Sequence, residues 1–163
     1  MPTVSNTSPI LNLAIVGHIA LLREQFGEII IPPAVLAELR VDDDLSGSEN
    51  VRAVLKAGWL RVAQFESSAL VRVLERDLDR GEAEAIAVAI ELNAEHILLD
   101  EREGRRIAKT LGLTVSGVLG VLVKARLDGR LPSLREAREA LRTQAGFRIG
   151  GDLFSELVAF DDS

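Results

Sequence analysis

Cysteine is missing from this 163-residue chain, and so is tyrosine. Without Cys there can be no disulfide, no thiolate zinc site and no thiol nucleophile. The lack suits a reducing cytoplasm. Aromatic residues make up only 4% of the chain, so the core must be built from Leu, Ile, Val and Ala. Positive charge is also short, with a formal net charge of −6. That sign excludes gripping nucleic acid by global charge, so any such role needs a local basic patch or bound metal ions. A long apolar run is absent too. The most apolar early stretch, Leu11 to Leu22, is broken by Asn12, Gly17 and His18. It falls short of the roughly 20 residues that span a bilayer. The start, Met1-Pro2-Thr3, has no basic region leading into an apolar run, so no signal peptide is expected. These absences together predict a cytoplasmic protein with no membrane contact.

What is present is core material. Hydrophobic residues make up 47% and charged residues 27%, a mixture that fits one domain over residues 1–163. Thr3-Val4-Ser5 reads as a first strand. Ser8 then reads as an N-cap with Pro9 at the first helical position, and Gly17 ends that helix. A second short helix runs to Gln25. Glu28 to Ile31 is a buried strand, Pro32-Pro33 stops it, and a helix covers Ala34 to Leu39. Val41 to Asn50 reads as a loop, and Val51 to Lys56 as a helix. Trp59 to Ala63 is the third strand, and Ser67 to Asp77 is helical. Asp79 opens an Ala-rich helix to about Leu92, apolar almost all round and so buried on most sides. His96 to Leu99 is the fourth strand, Glu101 to Leu111 a helix, and Leu113 to Val115 the fifth strand. Helices at Val118 to Arg126, Ser133 to Thr143 and Asp152 to Phe160 complete the pattern. Strands alternating with helices predict an α/β fold in three layers, a parallel sheet covered by helices on both faces.

In such sheets ligands bind beyond the C-terminal ends of the strands, near the switch in strand order. The polar residues expected there are Asn6, Glu38, Glu82, Asp100 and Ser116. Crowded carboxylates repel one another unless a cation intervenes. Oxygen ligands suit Mg²⁺ or Mn²⁺ rather than zinc, and such ions activate water beside a phosphate. Each residue has a competing explanation. Asp79-x-x-Glu82 matches a capping box, which would make Glu82 structural. Asp100-x-x-Glu103 matches another, which would make Asp100 an N-cap. Glu38 on an apolar helix face needs a partner, and an Arg could supply it. Asn6 could form a turn with its own backbone. Glu84 lies nearly opposite Glu82 on the helix and is its alternative, as Glu101 is for Asp100. His18 and His96 read as structural or surface residues.

Arg102, Arg105, Arg106 and Lys109 fall on one helical face directly after Asp100. They form a candidate phosphate-backbone contact, and the competing explanation is a solvated face balanced by Glu101 and Glu103. Arg135, Arg138 and Arg142 form a second stripe that reads as a solvated face.

The segments Val4 to Ile10, Ile31 to Leu39, Asp79 to Ala87 and Leu98 to Arg102, extended by Gly117 to Leu122, resemble the PIN domain. They resemble most closely the prokaryotic PIN-like group DUF3368. The resemblance implies a sheet of about five parallel strands between helices. It also implies Mg²⁺- or Mn²⁺-dependent endoribonuclease activity on single-stranded RNA. Many relatives are toxins restrained by a small antitoxin and are often homodimers. Carried onto this sequence, the four acidic positions fall at Asn6, Glu38, Glu82 and Asp100, and Ser116 matches a polar position near the site. The step from Glu82 to Asp100 fits the family pattern and favours Glu82 over Glu84. Asn6 is the departure, since a PIN nuclease usually has Asp there. An amide oxygen still ligates a hard cation but brings no charge. The competing expectation is therefore an inactive PIN-like module that binds RNA or a protein partner. A signalling receiver domain would need an Asp after the third strand, where Gln64-Phe65-Glu66 stands, and a Lys after the fifth.

Overall fold

Residues 2–66 and 68–149 are described by a computed structural model. The helix expected at Asp152 to Phe160 lies outside the described residues.

Five strands of three residues each build one sheet: β1 (Thr3–Ser5), β2 (Ile29–Ile31), β3 (Leu60–Val62), β4 (His96–Leu98) and β5 (Thr114–Ser116). Their order is β3-β2-β1-β4-β5, and every pairing is parallel. Thr3 pairs with Ile29 on one side and His96 on the other, so β1 is central. This is the parallel α/β sheet that the alternation of elements predicts. A receiver would be wound 2-1-3-4-5, so the strand order excludes that reading.

Side chains alternate across the sheet. Ile29, Ile31 and Leu98 enter a core shared with helices α1 (Thr7–Ile15), α2 (Ala20–Phe26), α4 (Ser48–Ala57), α8 (Val118–Leu127) and α9 (Leu134–Ala140). Val4, Ile30 and Ile97 enter the opposite core, against α5 (Ala69–Leu74), α6 (Arg80–Glu91) and α7 (Arg102–Thr110). Helix α3 (Pro33–Leu39) buries Val35 and Leu39 in the first core. It also packs against α6. Every residue of α6 from Gly81 to Ala89 is buried, which explains its apolar composition. No helix among the described residues is long and apolar enough to cross a membrane.

Several boundaries differ from those expected. Helix α1 begins at Thr7, with Asn6 at the N-cap position in place of Ser8. Pro9 is tolerated one turn in because the first four helical N–H groups have no partner within the helix. Helix α4 starts at Ser48, inside the stretch expected as loop. The helix expected over Ser67 to Asp77 is formed over Ala69–Leu74, with the Val71 N–H donating to the Ser68 hydroxyl at its start, and the chain turns over Glu75 to Asp77. Beyond Ala140 the chain makes a π-helical turn, Leu141–Ala145.

Candidate functional site

The order of strands reverses direction between β1 and β4, and the crevice beyond that point is where ligands of such sheets bind. Asn6 follows β1 there, and its N–H donates to the Leu98 carbonyl at the end of β4. Asp100 follows β4. The Leu99 N–H donates to the Ser116 carbonyl on β5, which fixes the far edge of the crevice.

Helix α1 points its N-terminus into this crevice with no acid of its own in the first turn. Negative charge comes from other elements. The Thr7 hydroxyl donates to Glu38 Oε2, and the Ser8 hydroxyl donates to Asp100 Oδ2 over 3.1 Å. Asn12 Nδ2 donates to the Ser8 hydroxyl oxygen at 2.9 Å and holds it in place. Carboxylates at a helix N-terminus are favoured by the aligned peptide dipoles. Glu38 is exposed and partnered by Thr7, so the Arg pair considered for it is not the structural answer.

Asp100 also accepts from the Val118 N–H, at 2.9 Å on Oδ1. It does not cap α7, whose N-cap position belongs to Glu101. Burial pushes the Asp100 carboxyl above its ordinary value, against the pull of the Val118 N–H, the Ser8 hydroxyl and Arg105. Glu82 behaves alike. Burial raises its carboxyl, and the charges of Asp79, Glu101 and Glu38 raise it further. Its capping box with Asp79 is present: the Asp79 N–H donates to Glu82 Oε2 and the Glu82 N–H to Asp79 Oδ1. The structural reading of Glu82 therefore holds, and it leaves Oε1 without a share in the cap.

Asn6 is 4% exposed, and its Oδ1 has no hydrogen-bond partner among the described residues. The competing explanation, a turn in which its side chain caps its own backbone, is not made. An orphaned buried oxygen costs about 1–3 kcal/mol, so a group that tolerates it invites a ligand.

Glu84 departs from its expected role. It is 5% exposed and faces away from Glu82, accepting from the Ala34 N–H at 3.0 Å and from Arg80 Nε at 3.0 Å. It thus caps α3, which has no side-chain cap from its own sequence. Glu101 is brought close enough for its charge to act on both Glu82 and Asp100. Ser116 shares a groove with Asp100. In the basic stripe, Arg105 Nη1 donates to the Leu99 carbonyl at 2.7 Å. Arg106 pairs with Glu103. Arg102, Arg105, Arg106 and Lys109 line one groove of about 620 Å³ that ends at Asp100. In the second stripe Arg142 pairs with Glu139.

Sequence reading missed three glycines. A Cβ on Gly81 would lie 2.6 Å from Glu38 Oε1, one on Gly104 would lie 3.4 Å from Glu82 Oε1, and one on Gly117 would lie 2.7 Å from Asp100 Oδ1. Each carboxylate of the cluster is therefore seated on a glycine. The signal was Gly81 itself, a poor helix former in the first turn of a helix, with no turn to make.

The donors are all oxygens, and burial raises two of the carboxyls, Glu82 and Asp100. Among the described residues no three Asp, Glu or His side chains converge tightly enough to hold one ion by themselves. Mg²⁺ keeps several waters and needs only one or two carboxylates, so this set, with the orphaned Asn6 oxygen, fits a hard, partly hydrated divalent cation.

Residues 2–161 match the family model DUF3368, described as a PIN domain. Among solved structures the fold is similar to a PilT N-terminus domain protein from the hyperthermophilic archaeon Sulfolobus solfataricus. The TM-score is 0.51 at 21% identity, over 77% of this chain and 93% of that one. It is also similar to a domain of a functionally unknown protein from Methanocaldococcus jannaschii, with a TM-score of 0.48 at 22% identity, over 71% of this chain and 89% of that one. The first of these likenesses bears on the fold alone. No curated protein matches the chain.

Proposed function

The chain belongs to the DUF3368 family of PIN domains, and from that premise we propose that it is a divalent-metal-dependent endoribonuclease acting on single-stranded RNA. PIN domains are typically nucleases and generally use divalent metals. What supports the reading is the buried Asn6 oxygen, without a partner among the described residues, at the β1–β4 switch where Ser8 of the same helix reaches Asp100, together with the Glu82 and Asp100 carboxyls raised by burial.

Asp100, Glu82 and the Asn6 oxygen would hold Mg²⁺ or Mn²⁺, with Glu38 and Glu101 orienting its waters. Bound there, such an ion activates water and offsets charge on the phosphate. The chain's own residues do the positioning. Ser8 and the Val118 N–H fix the Asp100 carboxylate, the capping box fixes Glu82, and Thr7 fixes Glu38. The cations of α7 would align the RNA backbone beside them. On family resemblance alone, the proposal extends to a cytoplasmic toxin held by a small antitoxin and to a homodimer.

The neutral Asn6 favours a second reading, a PIN module without catalysis that binds RNA or a protein. One assay separates the two: mixed-sequence single-stranded RNA with Mn²⁺, Mg²⁺ or EDTA, using wild type, Asp100→Asn and Asn6→Asp. The nuclease reading expects cleavage that needs the metal and falls at least about 100-fold in Asp100→Asn. A folded wild type that binds RNA without cutting it would establish the second reading. Cleavage gained by Asn6→Asp would then show that only the first acid is missing.

A further inference from the structure

We propose that the groove on the β5–α8 side of Asp100 receives an unpaired base of the RNA strand, next to the phosphate to be cut. The inference rests on the ribonuclease reading and specifies how its substrate lies.

Two grooves meet at Asp100 and Arg105, which line both. Their chemistry differs. The groove along α7 is lined by Arg102, Arg106 and Lys109 together with Glu103, the partner of Arg106, and its excess of cations suits phosphates. The groove along α8, of about 760 Å³, is floored by Val115, Leu119, Val123 and Phe147, with Lys124 and Arg148 at its rim. Its volume lies in the range of roughly 300–1,000 Å³ typical of small-molecule sites. An apolar floor with an aromatic ring suits a base face, and rim cations suit the adjoining phosphates. Among the described residues Lys124 is tied to Asp128, in an exposed pair of the kind that contributes little, so it can turn to a phosphate. The chain as a whole carries −6, which makes a rim of cations beside the acid cluster a local device rather than a general property. A base stacked inside a duplex cannot enter such a groove, so its occupancy would give the preference for single strands.

The test uses Gly120, which lines this groove on α8. A Cβ there meets nothing within 4 Å, so the side chain of Gly120→Phe starts into open space in the groove, and the change removes a helix-weakening Gly. Binding of a labelled, mixed-sequence single-stranded RNA is read by fluorescence anisotropy in Ca²⁺, alongside thermal unfolding. The expected result is affinity lower by roughly tenfold at an unchanged or higher Tm. A second measurement uses RNAs carrying a base-less ribose at successive positions on wild type. One position beside the cut should show the same loss, and that loss should vanish in Gly120→Phe. If Gly120→Phe binds as wild type while Arg102→Glu weakens binding, the groove proposal is overturned and the nuclease reading stands. A flat base-less series overturns it as well, even if Gly120→Phe does not fold. A wild type that neither binds nor cuts RNA overturns both.

Discussion

Helices α6 and α7 both bring charged side chains to the end of the sheet, and they do so in opposite ways. On α6, Glu82 and Glu84 are each 5% exposed and are held by backbone N–H groups from Asp79 and Ala34. On α7, Arg102 and Arg106 are exposed. Buried charge is expensive and is kept only with partners, so its position is settled by the fold before any ligand arrives. Exposed charge is cheap, mobile and screened by salt, which suits the first encounter with a polyanion. On the reading proposed above, the contrast would separate residues that define a reaction geometry from residues that gather substrate.

The largest effect expected from breaking this contrast is at Glu82. Gln keeps the capping box but removes the buried charge, so Glu82→Gln should lose cleavage by about 100-fold or more while the fold in EDTA is as stable or more stable at pH 7. The pH dependence follows the same sign. The Glu82 and Asp100 carboxyls are raised in the folded protein by burial. Their contribution to stability is thus full below their unfolded values and lost as pH rises through the folded ones. Thermal melts in EDTA from acid to neutral pH should show that loss in wild type and a smaller one in Glu82→Gln. An equal loss in both would mean that Glu82 is not a strained charge.

Glu84→Ala comes next. It removes the cap of α3 and a buried partner of Arg80 at once. Urea unfolding should show a loss of about 2 kcal/mol. A loss below about 0.5 kcal/mol would make Glu84 interchangeable with a surface residue.

Gly81→Ala sharpens the comparison by setting stability against function. The new methyl would press on the Glu38 carboxylate, which can swing away, while Ala favours the helix by roughly 0.5–1 kcal/mol. Cleavage should fall about tenfold as the melting temperature holds or rises. The smallest effect belongs to α7. Arg102→Glu with Lys109→Glu should weaken RNA binding by about three- to tenfold and flatten its salt dependence, with unfolding unchanged within about 0.5 kcal/mol. Salt titrations that superimpose on wild type would remove α7 from the binding surface.

Much of this was legible in the sequence because it is local. Ile29-Ile30-Ile31 and Ile97-Leu98 stand out as buried runs, and Gly17 and Gly58 punctuate the helices around them. Asn6 and Asp100 could be placed at strand ends by the same logic, and the basic face of α7 by its spacing. What stayed hidden crosses between elements. The cap on α3 comes from Glu84, far along the chain, and no spacing rule reaches that far. The seating of Glu38, Glu82 and Asp100 on Gly81, Gly104 and Gly117 needs helices and strands already packed. The Asp100-x-x-Glu103 pattern misled because Asp100 finds better partners in Val118 and Ser8 than in its own helix. The strands end one residue short of their apolar runs, with Trp59 and Leu99 each adding a single backbone hydrogen bond at the margin of the sheet, to Ile29 and Ser116.

Strand β1 is the first in chain order, yet it lies in the middle of the sheet, between β2 and β4. On a ribosome adding roughly 5–20 residues per second, Asn6 would wait about 5–20 s for Asp100 to emerge. A half-made chain would hold scattered oxygen donors and no centre. On the ribonuclease reading proposed above, no cutting centre would exist until Asp100 and its partner Val118 have both left the ribosome.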